Sequence, residues 1–147
     1  VNIKGLILAY EYDFISGLDF MTIQLPNKRK LYYASPGTTL SKWNTTAITY
    51  KGVNQTTRKW ETQESYGGKL VENVTQAIAR DCLAESLLRV KNAGFKTVMH
   101  IHDEIVVEAE ESSTVEEICD IMGEPIEWAD GLLLKADGFE SYYYKKD

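Results

Sequence analysis

The sequence predicts an α+β protein in which antiparallel β-hairpins pack against one long helix and shorter helices. Three observations carry that expectation. The N-terminal third strings together short apolar and aromatic segments separated by turn formers. The stretch Lys69–Asn92 runs without proline or glycine, and Gly94 follows where a helix-ending glycine belongs. Beyond it, Thr97–Ile101 and Glu104–Ala109 are apolar and β-branched on either side of a His102-Asp103 interruption. Strands and helices in this order, joined by hairpins, favour α+β over a doubly wound parallel sheet.

Taken along the chain, Leu6–Tyr12 and Phe20–Leu25 read as strands, with turn formers at 13–19 between them. Leu31–Tyr33 follows a Pro26-Asn27 turn, and Ile48–Tyr50 reads as another short strand. Thr56 or Thr57 is placed to cap a short helix through about Ser65, which Gly67-Gly68 then ends. The long helix that follows is on the order of 35 Å at ~1.5 Å per residue. The hairpin across His102-Asp103 lacks the favoured Asn-Gly turn, so another demand is expected to set those residues. Ser113-Thr114-Val115-Glu116 has capping-box spacing and opens a helix ending at Gly123. Leu132–Leu134 and Tyr142–Tyr144 read as closing strands.

The 147 residues suit one domain with a real core, and no linker, repeat or low-complexity stretch divides them. With 44% hydrophobic and 26% charged residues, a wholly disordered chain is excluded. No apolar run approaches the roughly 18 residues of a membrane span, and the first 20 residues lack a signal-peptide pattern. Cys82 and Cys119 match no CxxC spacing and read as buried thiols in a reducing, cytoplasmic setting. Net charge is −6, yet it is unevenly placed. Residues 1–102 hold 13 basic and 8 acidic side chains, whereas 103–147 hold 3 basic and 14 acidic ones. Such asymmetry suits a polyanion-facing segment joined to an acidic one, or plain unevenness on a solvated surface.

Three clusters carry chemistry. At His102-Asp103-Glu104 a hairpin tip would present two carboxylates and a histidine together, and a rigid carboxylate is the natural protein ligand for magnesium. A plain polar turn is the bland alternative. His100, His102 and Asp103 have spacing for a transition metal, but no third histidine or nearby cysteine supports structural zinc. On the long helix, Lys69, Asn73, Gln76 and Arg80 fall at +4, +3 and +4 along one face. That face is either a solvated stripe or a set of donors for the acceptors of a duplex minor groove. The third cluster is Lys28-Arg29-Lys30-Leu31-Tyr32-Tyr33, with Arg58-Lys59-Trp60 downstream, where basic residues among aromatics suit phosphate contact and stacking. Gly67-Gly68-Lys69 is no P-loop, because Gln63 and Leu70 stand where that motif needs Gly and Ser/Thr. The N-x-[ST] triplets at Asn44, Asn54 and Asn73 are chance matches without a secretory signal.

The His102-Asp103-Glu104 hairpin, preceded by a long helix carrying Gln76-Ala77 and Asp81, resembles the closing block of family A DNA polymerases. Tyr66-Gly67-Gly68-Lys69-Leu70-Val71-Glu72-Asn73 is similar to the phage and prophage branch. Lys28-Arg29-Lys30-Leu31-Tyr32 resembles the basic-aromatic stretch after the fingers, and Leu134-Lys135-Ala136-Asp137-Gly138 the closing strand, so the likeness spans about 20–147. The resemblance implies deoxynucleotidyl transfer to a primer 3′-hydroxyl with two magnesium ions. It implies that Asp103 binds metal, that Glu104 is the adjacent acid with a secondary role, and that His102 lies near the primer terminus. Gln76 would contact the minor groove of primer–template DNA, with Arg80 as its neighbour, while Arg29 and Lys30 belong to the basic DNA-facing stretch. Residues 1–65 would connect fingers to palm, and 66–147 would form palm.

The departures shape the expectation. Glu72 stands where the family has Asn, with Asn73 one place later, and Gly68 stands where it has Arg, with Lys69 adjacent. Those two minor-groove roles therefore shift to Asn73 and Lys69. Nothing matches the family's first metal-binding motif or the fingers helix that grips the dNTP. The chain, from Val1 to Lys145-Lys146-Asp147, is thus expected to be the C-terminal piece of a longer polymerase, inactive without its N-terminal portion. Two other readings compete: a stand-alone duplex-binding or interaction module of the same fold, and a metal-dependent nuclease using Asp103 and Glu104.

Overall fold

The computed structural model describes residues 2, 3 and 5–145. Strands β1 (Asn2–Ile3), β2 (Leu6–Asp13), β3 (Leu18–Gln24), β4 (Lys30–Leu40), β5 (Thr46–Val53) and β6 (Trp60–Ser65) lead into helix α1 (Gly67–Asn92). A hairpin of β7 (Lys96–Ile101) and β8 (Glu104–Glu108), helix α2 (Val115–Gly123) and a 3₁₀ turn (Glu127–Ala129) follow. The fold is α+β, with every strand pairing antiparallel. Two compact units, Val1–Ala77 and Ile78–Asp147, meet within the sequence of α1.

The first unit is a six-stranded meander in sequence order. Its core gathers Ile23, Leu25, Tyr33, Ala34, Ala47 and Val74, with Leu25 fully buried. On one face Tyr33 of β4 meets α1, where Asn73 Nδ2 donates to its Oη at 3.2 Å. Tyr33 and Tyr50 meet edge to face at 5.0 Å. On the other face Thr22 Oγ1 and Lys30 Nζ both donate to Glu11 Oε1, at 3.0 and 2.5 Å, beside the edge-to-face pair of Phe20 and Tyr32. β4 outruns the expected Leu31–Tyr33 strand because a bulge between Ala34 and Gly37 absorbs Pro36, which has no amide to give the ladder.

Two local expectations are corrected here. Residues 56–65 form a turn and a strand, not a helix. Asn54 Oδ1 takes the amides of Thr56 and Thr57, and Trp60–Ser65 then pairs with β5 in a pattern alternating exposed and covered. Leu132–Leu134 and Tyr142–Tyr144 are irregular, with Leu133 and Tyr142 almost fully exposed.

The second unit is built around the remainder of α1. Cys82, Leu83, Val90 and Ile126 are its buried apolar residues. Arg89 donates to the carbonyls of Glu124 and Pro125, at 2.7 and 2.8 Å, and pairs with Glu85. α1 closes in a Schellman motif: Phe95 N–H donates to Val90 O and Gly94 N–H to Lys91 O, with Gly94 at φ +96° as expected for a glycine after the helix. At α2 the cap is one residue later than the capping-box spacing suggested, with Thr114 accepting from Glu117 N–H at 3.3 Å. The closing segment lies along α2 at Gly138, where a Cβ would stand 3.2 Å from Val115. Both cysteines are free thiols, Cys82 buried and Cys119 half-buried.

Candidate functional site

The β7–β8 hairpin determines where the acidic tip stands. Ile101 pairs with Glu104, leaving His102 and Asp103 as a two-residue turn. His102 adopts φ +51° and Asp103 does not share the positive sign. That is the sign pattern of a type II′ turn, where glycine is favoured at the first position. The opposite end of the hairpin is held by Lys96 Nζ on Glu108 Oε2 at 2.6 Å, which draws the Glu108 carboxyl below its ordinary range. A bulge between Thr97 and Met99 resets the alternation of β7, so His100 pairs with Ile105 while Glu104 faces Ile101. Adjacent strand residues leave opposite faces, and the hairpin therefore separates His100 from Glu104.

His102 and Asp103 are exposed and Glu104 is half-buried. Neither Asp103 nor Glu104 makes an ion pair with a described residue. Among the described residues no group of three or more His, Cys, Asp or Glu side chains converges as a metal cage. Asp103 thus offers hard oxygen donors to solvent, with the partly covered Glu104 next to it in sequence. Magnesium commonly takes one or two protein carboxylates and fills its remaining positions with water and phosphate. The donor chemistry fits such a partial ligand set.

On α1 the donor residues divide. Lys69 Nζ bonds both oxygens of Glu72, at 3.0 and 3.1 Å, and Gln76 Nε2 donates to the same carboxylate at 3.2 Å. Glu72 is therefore the centre of the exposed stripe in the first unit, and its hydrogen bond and charge together raise the Lys69 pKa. Asn73 is turned to the sheet and occupied by Tyr33. In the second unit Arg80 is exposed, with no side-chain partner among the described residues. Of the basic stretch, Arg29 is exposed and donates to Ala77 O at 3.1 Å, whereas Lys30 is engaged by Glu11. The organising role of Glu72 was visible in the sequence only as an acid among donors at helical spacing.

The class on view is an antiparallel α+β chain with an exposed acidic hairpin tip and a donor-rich helix. No family model and no solved structure matches it. The chain is similar to a DNA polymerase of Bacillus phage SP02, with 50% identity over 145 residues. The alignment covers 97% of this chain and 21% of that polymerase, so the chain spans about a fifth of its relative's length. Among the described residues no helix is long and apolar enough to cross a membrane.

Proposed function

We propose that this chain is the palm-type closing segment of a family A, phage-branch DNA polymerase acting in the cytoplasm. The observation that carries the reading is the 50% identity to a phage DNA polymerase along almost the whole chain. The exposed Asp103 carboxylate on the two-residue turn, with the half-buried Glu104 next to it at the start of β8, supports it. In this reading a primer 3′-hydroxyl attacks the α-phosphate of a deoxynucleoside triphosphate. A new P–O bond forms, the bond to the β-phosphate breaks, pyrophosphate leaves, and the hydroxyl proton is lost.

Asp103 and Glu104 would hold magnesium, which when bound supplies charge stabilisation for the attacking and leaving oxygens. Asp103 has the dominant role because its place in the turn leaves it exposed beyond the strands. His102 contacts a phosphate near the primer terminus. Gln76, Lys69 and Arg80 donate to minor-groove acceptors, which every base pair presents. Asn73 joins them by exchanging its bond to Tyr33, Arg29 faces the backbone phosphates, and Lys30 joins it only by exchanging its bond to Glu11. Residues 1–65 connect fingers to palm, 66–147 form palm, and the remaining polymerase supplies the other metal carboxylate and the dNTP grip.

The test is transplantation. The segment replaces the 145 aligned residues of the SP02 enzyme, and primer extension is assayed alongside the isolated chain. Extension by the chimera, and none by the isolated chain, is the expected result. A folded chimera that cannot extend a primer would overturn the polymerase reading, and template-dependent extension by the isolated chain would overturn its inactivity.

A further inference from the structure

Five hairpin turns of the six-stranded sheet each place a residue in the left-handed region. In a meander alternate turns lie at the same end, so β2–β3 and β4–β5 share one end while β1–β2, β3–β4 and β5–β6 share the other. At the first end the left-handed positions hold Gly17 (φ +68°) and Asn44 (φ +57°), residues that adopt this region readily. At the second end the β1–β2 turn uses Gly5 (φ +83°), but the β3–β4 and β5–β6 turns hold Lys28 (φ +72°) and Arg58 (φ +57°), which do not adopt it readily.

The two basic turns share a construction. In each, an asparagine carboxamide accepts backbone amides: Asn27 from Arg29, and Asn54 from Thr56 and Thr57. The left-handed cation then donates its own N–H back across the turn, Lys28 to Leu25 O and Arg58 to Asn54 O, both at 2.9 Å. A second cation follows in each case, Arg29 and Lys59. All four are exposed, and Lys28, Arg58 and Lys59 have no side-chain partner among the described residues. Ala34 pairs with Lys51 and Val53 with Trp60, so the turns finish near the same level, two strand spacings or about 10 Å apart. Trp60 stands beside them, 61% exposed. Glu61 is the neighbouring acid, and Thr57 Oγ1 already donates to it at 3.1 Å.

We propose that this turn end is a binding site for single-stranded DNA, in which Lys28, Arg29, Arg58 and Lys59 hold backbone phosphates and Trp60 stacks on a base. Local stereochemistry would choose glycine or asparagine at 28 and 58, and the cations there serve charge at the expense of backbone comfort. An exposed tryptophan beside paired cations matches the combination that holds single strands without reading sequence. Lys30, neutralised by Glu11, takes no part. The inference goes beyond the polymerase reading and does not rest on it.

The experiment follows binding of the 147-residue chain to a labelled oligothymidine of about 16 nucleotides by fluorescence anisotropy, across about 50 to 200 mM salt. With four phosphate contacts, log affinity should fall with log salt at a slope near −2.8. The double variant Lys28→Gly/Arg58→Gly relieves both backbones, so its thermal midpoint should hold or rise while the slope shrinks by about 1.4. Should that variant fold poorly, Lys28→Gln/Arg58→Gln keeps the turns and must give the same loss of slope. Trp60→Ala should weaken binding at least about fivefold with the slope unchanged. The site is overturned if the wild-type chain fails to bind at about 50 mM salt, or if the charge variants keep its affinity and slope. Equal competition by duplex DNA, together with no effect of Trp60→Ala, overturns the single-strand assignment. Transplanted-polymerase activity is read separately, so either result stands apart from the fate of the polymerase reading.

Discussion

His102 occupies a turn position where glycine costs nothing and a side chain costs roughly 1–2 kcal/mol, offset in part because histidine tolerates the left-handed region better than most. His102→Gly should therefore leave the unfolding free energy unchanged or raise it by up to about 1 kcal/mol in a denaturant titration. A loss of similar size would mean that the imidazole itself anchors the turn. Glu11 is a residue whose work depends on pH. Its carboxyl accepts from Lys30 and Thr22, and the Lys30 bond holds its pKa below the ordinary 4.5. A depressed folded value contributes stability above the unfolded value, and that contribution disappears as pH falls from about 4.5 through the folded value. Glu11→Gln should flatten the acid limb of a thermal-midpoint profile between about pH 5 and 3. An unchanged limb would assign the acid sensitivity to other carboxylates.

At the scale of elements, α1 keeps its DNA-facing candidates under local control. Glu72 engages Lys69 and Gln76, and an exposed pair of this kind is worth about 0.2–1 kcal/mol. Glu72→Ala should free both donors and raise duplex affinity roughly threefold, measured by anisotropy at low salt. Weaker duplex binding would remove that helix face from the interface. The elements legible in the sequence were those with strong period or punctuation. α1 ended at Asn92 as expected because Gly94 sets that limit, but it began two residues early, since Gly67-Gly68, read as the end of a preceding helix, form its first turn. The β7–β8 hairpin was legible from β-branched residues on both sides of a polar pair. β6 was not, because Glu61, Gln63 and Glu64 read as helix formers, whereas Trp60 and Thr62 in alternation answer to pairing with β5. The closing apolar runs misled for the opposite reason: apolar content suggests a strand, but a strand needs a neighbour, and 132–145 makes no ladder.

For the molecule as a whole, the placement of charge says more than its total. The −6 net charge conceals a basic first segment, within which the cations of one sheet end are grouped by the meander. Sequence spacing could show Lys28-Arg29 and Arg58-Lys59 but not that alternate turns share an end, nor that Lys30 is lost to Glu11. Stability rests on a small core, and Leu25→Ala, at a fully buried position, should cost about 2–5 kcal/mol in urea unfolding. A cost under about 1 kcal/mol would mean that the sheet does not depend on that contact. Asp103 is exposed and thus nearly neutral for folding, yet the proposed mechanism gives it the main metal-binding role. That role is tested most directly by single-turnover primer extension with the transplanted polymerase carrying Asp103→Asn. The thermal midpoint should stay unchanged and the rate should fall at least about a hundredfold, since the metal's charge stabilisation is worth several kcal/mol. Extension within about twofold of the unmutated chimera would contradict that role.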